Sequence, residues 1–255
     1  MNQFFSFNRF TLLVVKHWAE NKRQYGLAVL ALIGVLIVRF LFNMLLADEA
    51  PMSAGVQLGT YLFLLFVVGT FYASQYFSDM GSRAKGSNFL LVPASIFEKF
   101  LCSLLYTVIL FIVVFTAVFY AVNILMLALS NEILGTDEHA GRATISNVMK
   151  ASFFMFRSNL AIHYLFCFFT IQSAFLLGSI GFKNHHYLKT VLSVFVVGFL
   201  LFSIIYLIYK PLFPGDRSLI SIPVWVEQAF RLLVMYVIAP SLWIMTYYSL
   251  KQKQV

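Results

Sequence analysis

Two pairs of residues carry side chains that could ligate a metal: His185 with His186, and Cys102 with Cys167. Neighbours on a helix point about 100° apart, so the two histidines share an ion with difficulty and read as a polar turn. Both cysteines lie inside apolar runs and read as small buried side chains, not as a disulfide or a metal site. His163 stands one turn into an apolar stretch and reads as a packed or interfacial histidine, not as a ligand. The sequence contains no phosphate-binding loop, dinucleotide-binding glycine run or zinc-protease helix. The chain is therefore expected not to be an enzyme, to hydrolyse no ATP by itself and to use no cofactor or metal.

The next candidates are polar residues inside apolar stretches. Arg39 lies well within the first such stretch, where a charge costs at least a few kcal/mol unless it pairs or snorkels. Glu227 is its candidate partner, and Asp48 is another. Such a pair is either part of a gate on a translocation path or a structural ion pair. Gln172, beside Ser173, sits in the middle of a later apolar stretch and is expected to bond across helices. Small-residue pairs at Gly55/Gly59, Gly69/Ala73 and Ala174/Gly178 permit close helix approach.

The composition says what must position these residues. Of the 255 residues 61% are hydrophobic and only 11% charged, and the mean hydropathy is +0.85. Soluble domains are about 45–50% apolar and about 25% charged, so the chain is expected to be an all-α polytopic membrane protein. Its apolar runs give six spans of roughly the 20 residues a bilayer requires: about 26–47, 57–77, 96–126, 159–182, 188–209 and 225–250. Residues 1–25 mix Arg9, Lys16, Lys22 and Arg23 with Phe4, Phe5, Phe7, Phe10 and Trp18. They are too polar for a span and are expected to form a separate amphipathic helix on the inner surface, retained for want of a cleavage signature. The six-span domain then occupies 26–255. The third span exceeds what a bilayer needs, so its start is expected to project from the membrane, and a loop follows from Leu127 to Ser158.

The net charge of +8 would suggest nucleic acid in a soluble protein. Here the cations follow the loops. One side holds eleven (Arg9, Lys16, Lys22, Arg23, Arg83, Lys85, Lys99, Lys183, Lys189, Lys251 and Lys253) against five on the other (Arg142, Lys150, Arg157, Lys210 and Arg217). That bias puts both termini in the cytoplasm, in agreement with an even number of spans, and removes the case for a nucleic-acid partner.

The stretch between the second and third spans carries the most specific signal. Ser95 with Glu98 three residues on has the form of a capping box, and Pro93 disfavours a helix running into it from Val92. Ahead of the break stand Asp79, Arg83 and Lys85, then the apolar cluster Phe89, Leu90, Leu91 and Val92. An apolar patch rimmed by charge on the inner side suits docking of a cytoplasmic partner. It would also suit an interfacial segment resting on lipid headgroups.

The run Leu90-Leu91-Val92-Pro93-Ala94-Ser95, followed by Glu98-Lys99-Phe100, resembles the first cytoplasmic loop of type 2 ABC exporter permeases, in particular the small Bacteroides-like ones. The local motif is about a dozen residues, while the layout resembles that family over nearly the whole chain. The resemblance implies a permease subunit of the bacterial inner membrane, paired with a second permease subunit and with a separate ATP-binding cassette ATPase. It places the coupling role on Ser78 to Val92, the hinge into the third span on Pro93 to Lys99, and the connecting helix on Phe4 to Trp18. One feature departs from the family: the longer outer loop lies between the third and fourth spans, whereas the family often places re-entrant outer helices between the fifth and sixth. A non-transport scaffold or regulator of a membrane complex is the alternative. A secondary transporter is disfavoured by the scarcity of acids within the spans.

Overall fold

Hydrocarbon offers backbone groups no hydrogen-bond partner, so a chain this apolar satisfies them within helices. In the computed structural model the described residues are 4–46, 53–78, 86, 91–134, 160–182, 185–212 and 233–253, and no strand occurs among them. The helices are α1 (Phe7–Leu46), α2 (Ala54–Tyr76), α3 (Ile96–Leu104), α4 (Phe111–Leu134), α5 (Leu160–Gly181), α6 (His186–Leu212) and α7 (Ala239–Gln252). Wider π-helical turns join α3 to α4 at Leu105–Leu110 and lead into α7 at Val234–Ile238.

Among the described residues five helical stretches are long and apolar enough to cross a membrane: Phe7–Leu46, Ala54–Tyr76, Ile96–Glu132, Tyr164–Gly181 and His186–Ile204. The expected sixth span, 225–250, is described only from Leu233 onward.

Two boundaries differ from the sequence expectation. The expected break between an N-terminal helix and a first span at Gly26 is absent, and α1 runs unbroken for 40 residues. At 1.5 Å per residue that is about 60 Å, twice the ~30 Å hydrocarbon layer. No proline interrupts 7–46, and a lone glycine costs a helix only about 1 kcal/mol. The Asn21 side chain donates to the His17 carbonyl (2.9 Å) and Lys16 pairs with Glu20 one turn on (3.8 Å), so both support the helix they stand on. Second, residues 127–134, expected to open a loop, continue α4. Neither glycine nor proline occurs there before Gly135.

The chain divides into two compact units, residues 1–69 with 97–162 and residues 70–96 with 163–255. In the first, α1 packs on α4 through Phe40 against Phe119 (ring centroids 6.2 Å). Helix α2 meets α4 through polar pairs as well as rings. Asn123 donates to the Gln57 side-chain oxygen (2.9 Å), and the Tyr61 and Thr116 hydroxyls are 3.0 Å apart. Gln57 and Asn123 are wholly buried. Polar pairs of this kind hold apolar helices together where the hydrophobic effect supplies no attraction.

In the second unit α5 and α6 approach closely at Gly178. A methyl group there would meet Thr190 Oγ1 and would lie 2.8 Å from its Cγ2 and 2.9 Å from its Cβ. Phe169 and Phe175 pack on Trp243 and Tyr187. Gln172 and Ser173, expected to face other helices, are both buried. At the other small-residue pair described by its surroundings, Gly55/Gly59, no such approach occurs: nothing lies within 4 Å of a methyl built on Gly59.

Candidate functional site

The described charged residue that is most completely buried is Glu98, on the first turn of α3, with no exposed side-chain area. Pro93 breaks the chain before it, the Ala94 amide donates to the Val92 carbonyl (2.7 Å), and α3 starts at Ile96, one residue after Ser95. The start of the third helical stretch is therefore where the proline and the serine place it.

The Glu98 carboxylate reaches the beginning of α1. The Ser6 backbone N–H donates to Glu98 Oε1 at 2.7 Å, and Arg9 Nη2 stands 3.1 Å from the same oxygen. Ser6 immediately precedes α1, and its own carbonyl accepts from the Phe10 amide at 3.0 Å. The first amides of a helix lack partners within it and carry its positive dipole end. Glu98 thus serves α1 as an N-terminal cap supplied from another helix 92 residues away in sequence. Phe4 and Phe5 extend the contact by packing on Phe97, at 5.1 and 6.1 Å between ring centroids.

One and two turns further along α1 a second set of contacts binds the same helices. Tyr106, in the π-helical turn, is buried and donates its hydroxyl to the Val14 carbonyl (2.9 Å). The Phe111 amide bonds to the Tyr106 carbonyl five residues back, the spacing of a π-turn. His17 packs on Tyr106 (4.5 Å between centroids), and its Nε2 lies 2.6 Å from the Tyr25 hydroxyl. Burial lowers the His17 imidazole from 6.5 to about 4, so it is neutral at physiological pH. His17 precedes the apolar stretch of α1 that begins at Gly26.

The residues expected to act divide as follows. Glu98 lies at the centre of the α1–α3 junction. Leu91 and Pro93 are exposed and Ser95 half-buried. Asp79, Arg83, Lys85, Phe89 and Leu90 lie outside the described residues. Arg39 is half-buried on α1, where its carbonyl accepts from the Asn43 side chain (3.0 Å). Both partners considered for it, Glu227 and Asp48, lie outside the described residues. Among the described residues no group of three or more His, Cys, Asp or Glu side chains assembles.

Sequence reasoning missed the partners of Glu98, because nothing local links Ser6 and Arg9 to position 98. It also missed the Gln57–Asn123 pair and the π-turn at Tyr106. The one available signal was that a carboxylate at the start of an apolar helix can take a cationic partner, and residues 9–23 hold four cations, Arg9, Lys16, Lys22 and Arg23.

Among the described residues these features define an all-helical protein with five helices long and apolar enough to cross a membrane, the pattern of a multi-pass membrane protein. Comparison with protein-family models, curated proteins and solved structures finds no match.

Proposed function

We propose that this chain is the membrane-spanning permease subunit of an ATP-binding cassette exporter in a bacterial inner membrane, with six spans and both termini in the cytoplasm. A separate ATPase subunit docks on the segment between the second and third spans, and a second permease subunit completes the translocation path. The observation that carries this reading is the capping of α1 by Glu98, together with the Arg9 ion pair. Glu98 follows the proposed docking segment by a few residues and grips the helix that leads into the first span. Movement imposed on that segment by an ATPase would reach the first and third spans together. In this account Arg9, Ser6 and Glu98 transmit force and none of them touches a transported molecule.

The layout of the second unit is compatible with the same topology. Lys253, after α7, donates to the Ile180 carbonyl at the end of α5 (2.7 Å), so the two helices finish at one end of that unit. The expected excess of cations on the inner side places that end in the cytoplasm. The docking role is tested by replacing Phe89, Leu90 and Leu91 with serine in the full chain. The reading expects the ATPase to be lost from the purified complex while the permease remains monodisperse. Retention of the ATPase by that variant would remove the docking segment from the account.

A further inference from the structure

At that shared end of the second unit, two cations fold against one turn. Lys253 Nζ donates to the Ile180 carbonyl (2.7 Å), and Lys189 Nζ lies 6.0 Å from the centre of the Phe182 ring, two residues on. Both side chains are exposed. His185 adopts a left-handed conformation (φ 51°), and its carbonyl receives the Lys189 amide (3.0 Å) to open α6. No acidic residue occurs in 181–190 or 241–255, whereas these stretches contain Lys183, Lys189, Lys251 and Lys253. The amino end of α6 adds its positive dipole to the same place.

Beside this charge runs an apolar stripe. Leu188, Leu192 and Phe195 follow one another at helical spacing on α6 and are 67%, 66% and 71% exposed. Cations at the head of an exposed apolar stripe complement an amphiphile with an anionic head. We infer that this end of the second unit binds one anionic phospholipid, its headgroup phosphate held by Lys189 and Lys253 and an acyl chain lying along Leu188, Leu192 and Phe195. The inference rests on the membrane reading and is independent of transport. Lysines near an anionic lipid surface contribute about fivefold each to binding, so two of them account for a preference on the order of 25-fold over a zwitterionic lipid.

The test is native mass spectrometry of the purified full chain after adding phosphatidylglycerol and phosphatidylcholine with matched acyl chains. The wild type is expected to retain phosphatidylglycerol preferentially. A Lys189→Gln, Lys253→Gln double variant is expected to lose that preference, and a Lys189→Arg, Lys253→Arg variant to keep it. Equal retention of the two lipids by the wild type, or an unchanged preference in the glutamine variant, would overturn the inference. Displacement of the lipid by inorganic phosphate at comparable concentration would also overturn it, since the site would then be one for a free anion. Extraction of the protein from native membranes by alkaline carbonate would instead defeat the membrane reading itself.

Discussion

Arg9 and Glu98 form an ion pair of 3.1 Å in which the carboxylate is fully buried while the Arg9 side chain keeps 40% of its exposure. The asymmetry decides what the pair is worth. The buried acid has given up its hydration and depends on Arg9 and the Ser6 amide, whereas Arg9 remains partly hydrated. Removing the cation is therefore the more damaging change, because it takes a counter-charge away from a buried carboxylate.

Arg9→Ala is accordingly expected to cost about 2–4 kcal/mol and Glu98→Gln less, since glutamine keeps an oxygen for the Ser6 amide. Limited proteolysis of the purified protein checks this. Cleavage at Lys16, Lys22 and Arg23 should accelerate most in Arg9→Ala, less in Glu98→Gln, and very little in the exposed control Leu12→Ala, which leaves all three cleavage sites in place. Equal rates in all three would mean that the pair does not hold the N-terminal segment.

His17 gives the junction a pH dependence. Its folded value of about 4 lies below the ordinary 6.5, so the unfolded chain takes up a proton before the folded one does. The neutral imidazole's contribution to stability is complete above about pH 6.5 and declines as pH falls toward 4. The melting temperature in detergent should therefore fall between about pH 7 and pH 5 by more in the wild type than in His17→Gln. The same slope in both would remove His17 as the cause.

Gly178 is a packing requirement. The methyl of Gly178→Ala would stand 2.9 Å from Thr190 Cβ, an atom that side-chain rotation cannot move away. A destabilisation of about 1–3 kcal/mol is expected, the range for an overpacked contact. Gly59→Ala, with nothing within 4 Å, should be neutral or slightly stabilising. A melting-temperature comparison of the two variants decides it, and an unperturbed Gly178→Ala would show that α5 and α6 do not approach closely there.

Much of the helical plan was legible because a bilayer imposes length and polarity on each segment. The stretch 159–182 differs by one residue at each end from α5, and Pro93 with Ser95 marks the start of α3. What remained illegible is of two kinds. Continuity of α1 through Tyr25 and Gly26 could not be read from polarity, because charged residues are as good at forming helix as apolar ones; a change of solvent along a helix does not end it. The partners of Glu98, and of Gln57, depend on which helices lie side by side, and no local spacing encodes that. Residue types could say only that such groups needed partners, as Arg39 also shows.

Purification of the tagged full chain from its native membranes in mild detergent, with identification of accompanying proteins and an ATP-hydrolysis assay, tests most directly the proposal that it is a permease driven by a separate ATPase. A permease of this kind is expected to bring down a stoichiometric partner carrying a phosphate-binding loop, with vanadate-sensitive hydrolysis. A chain that purifies under several mild conditions with no ATPase and no hydrolysis would contradict it.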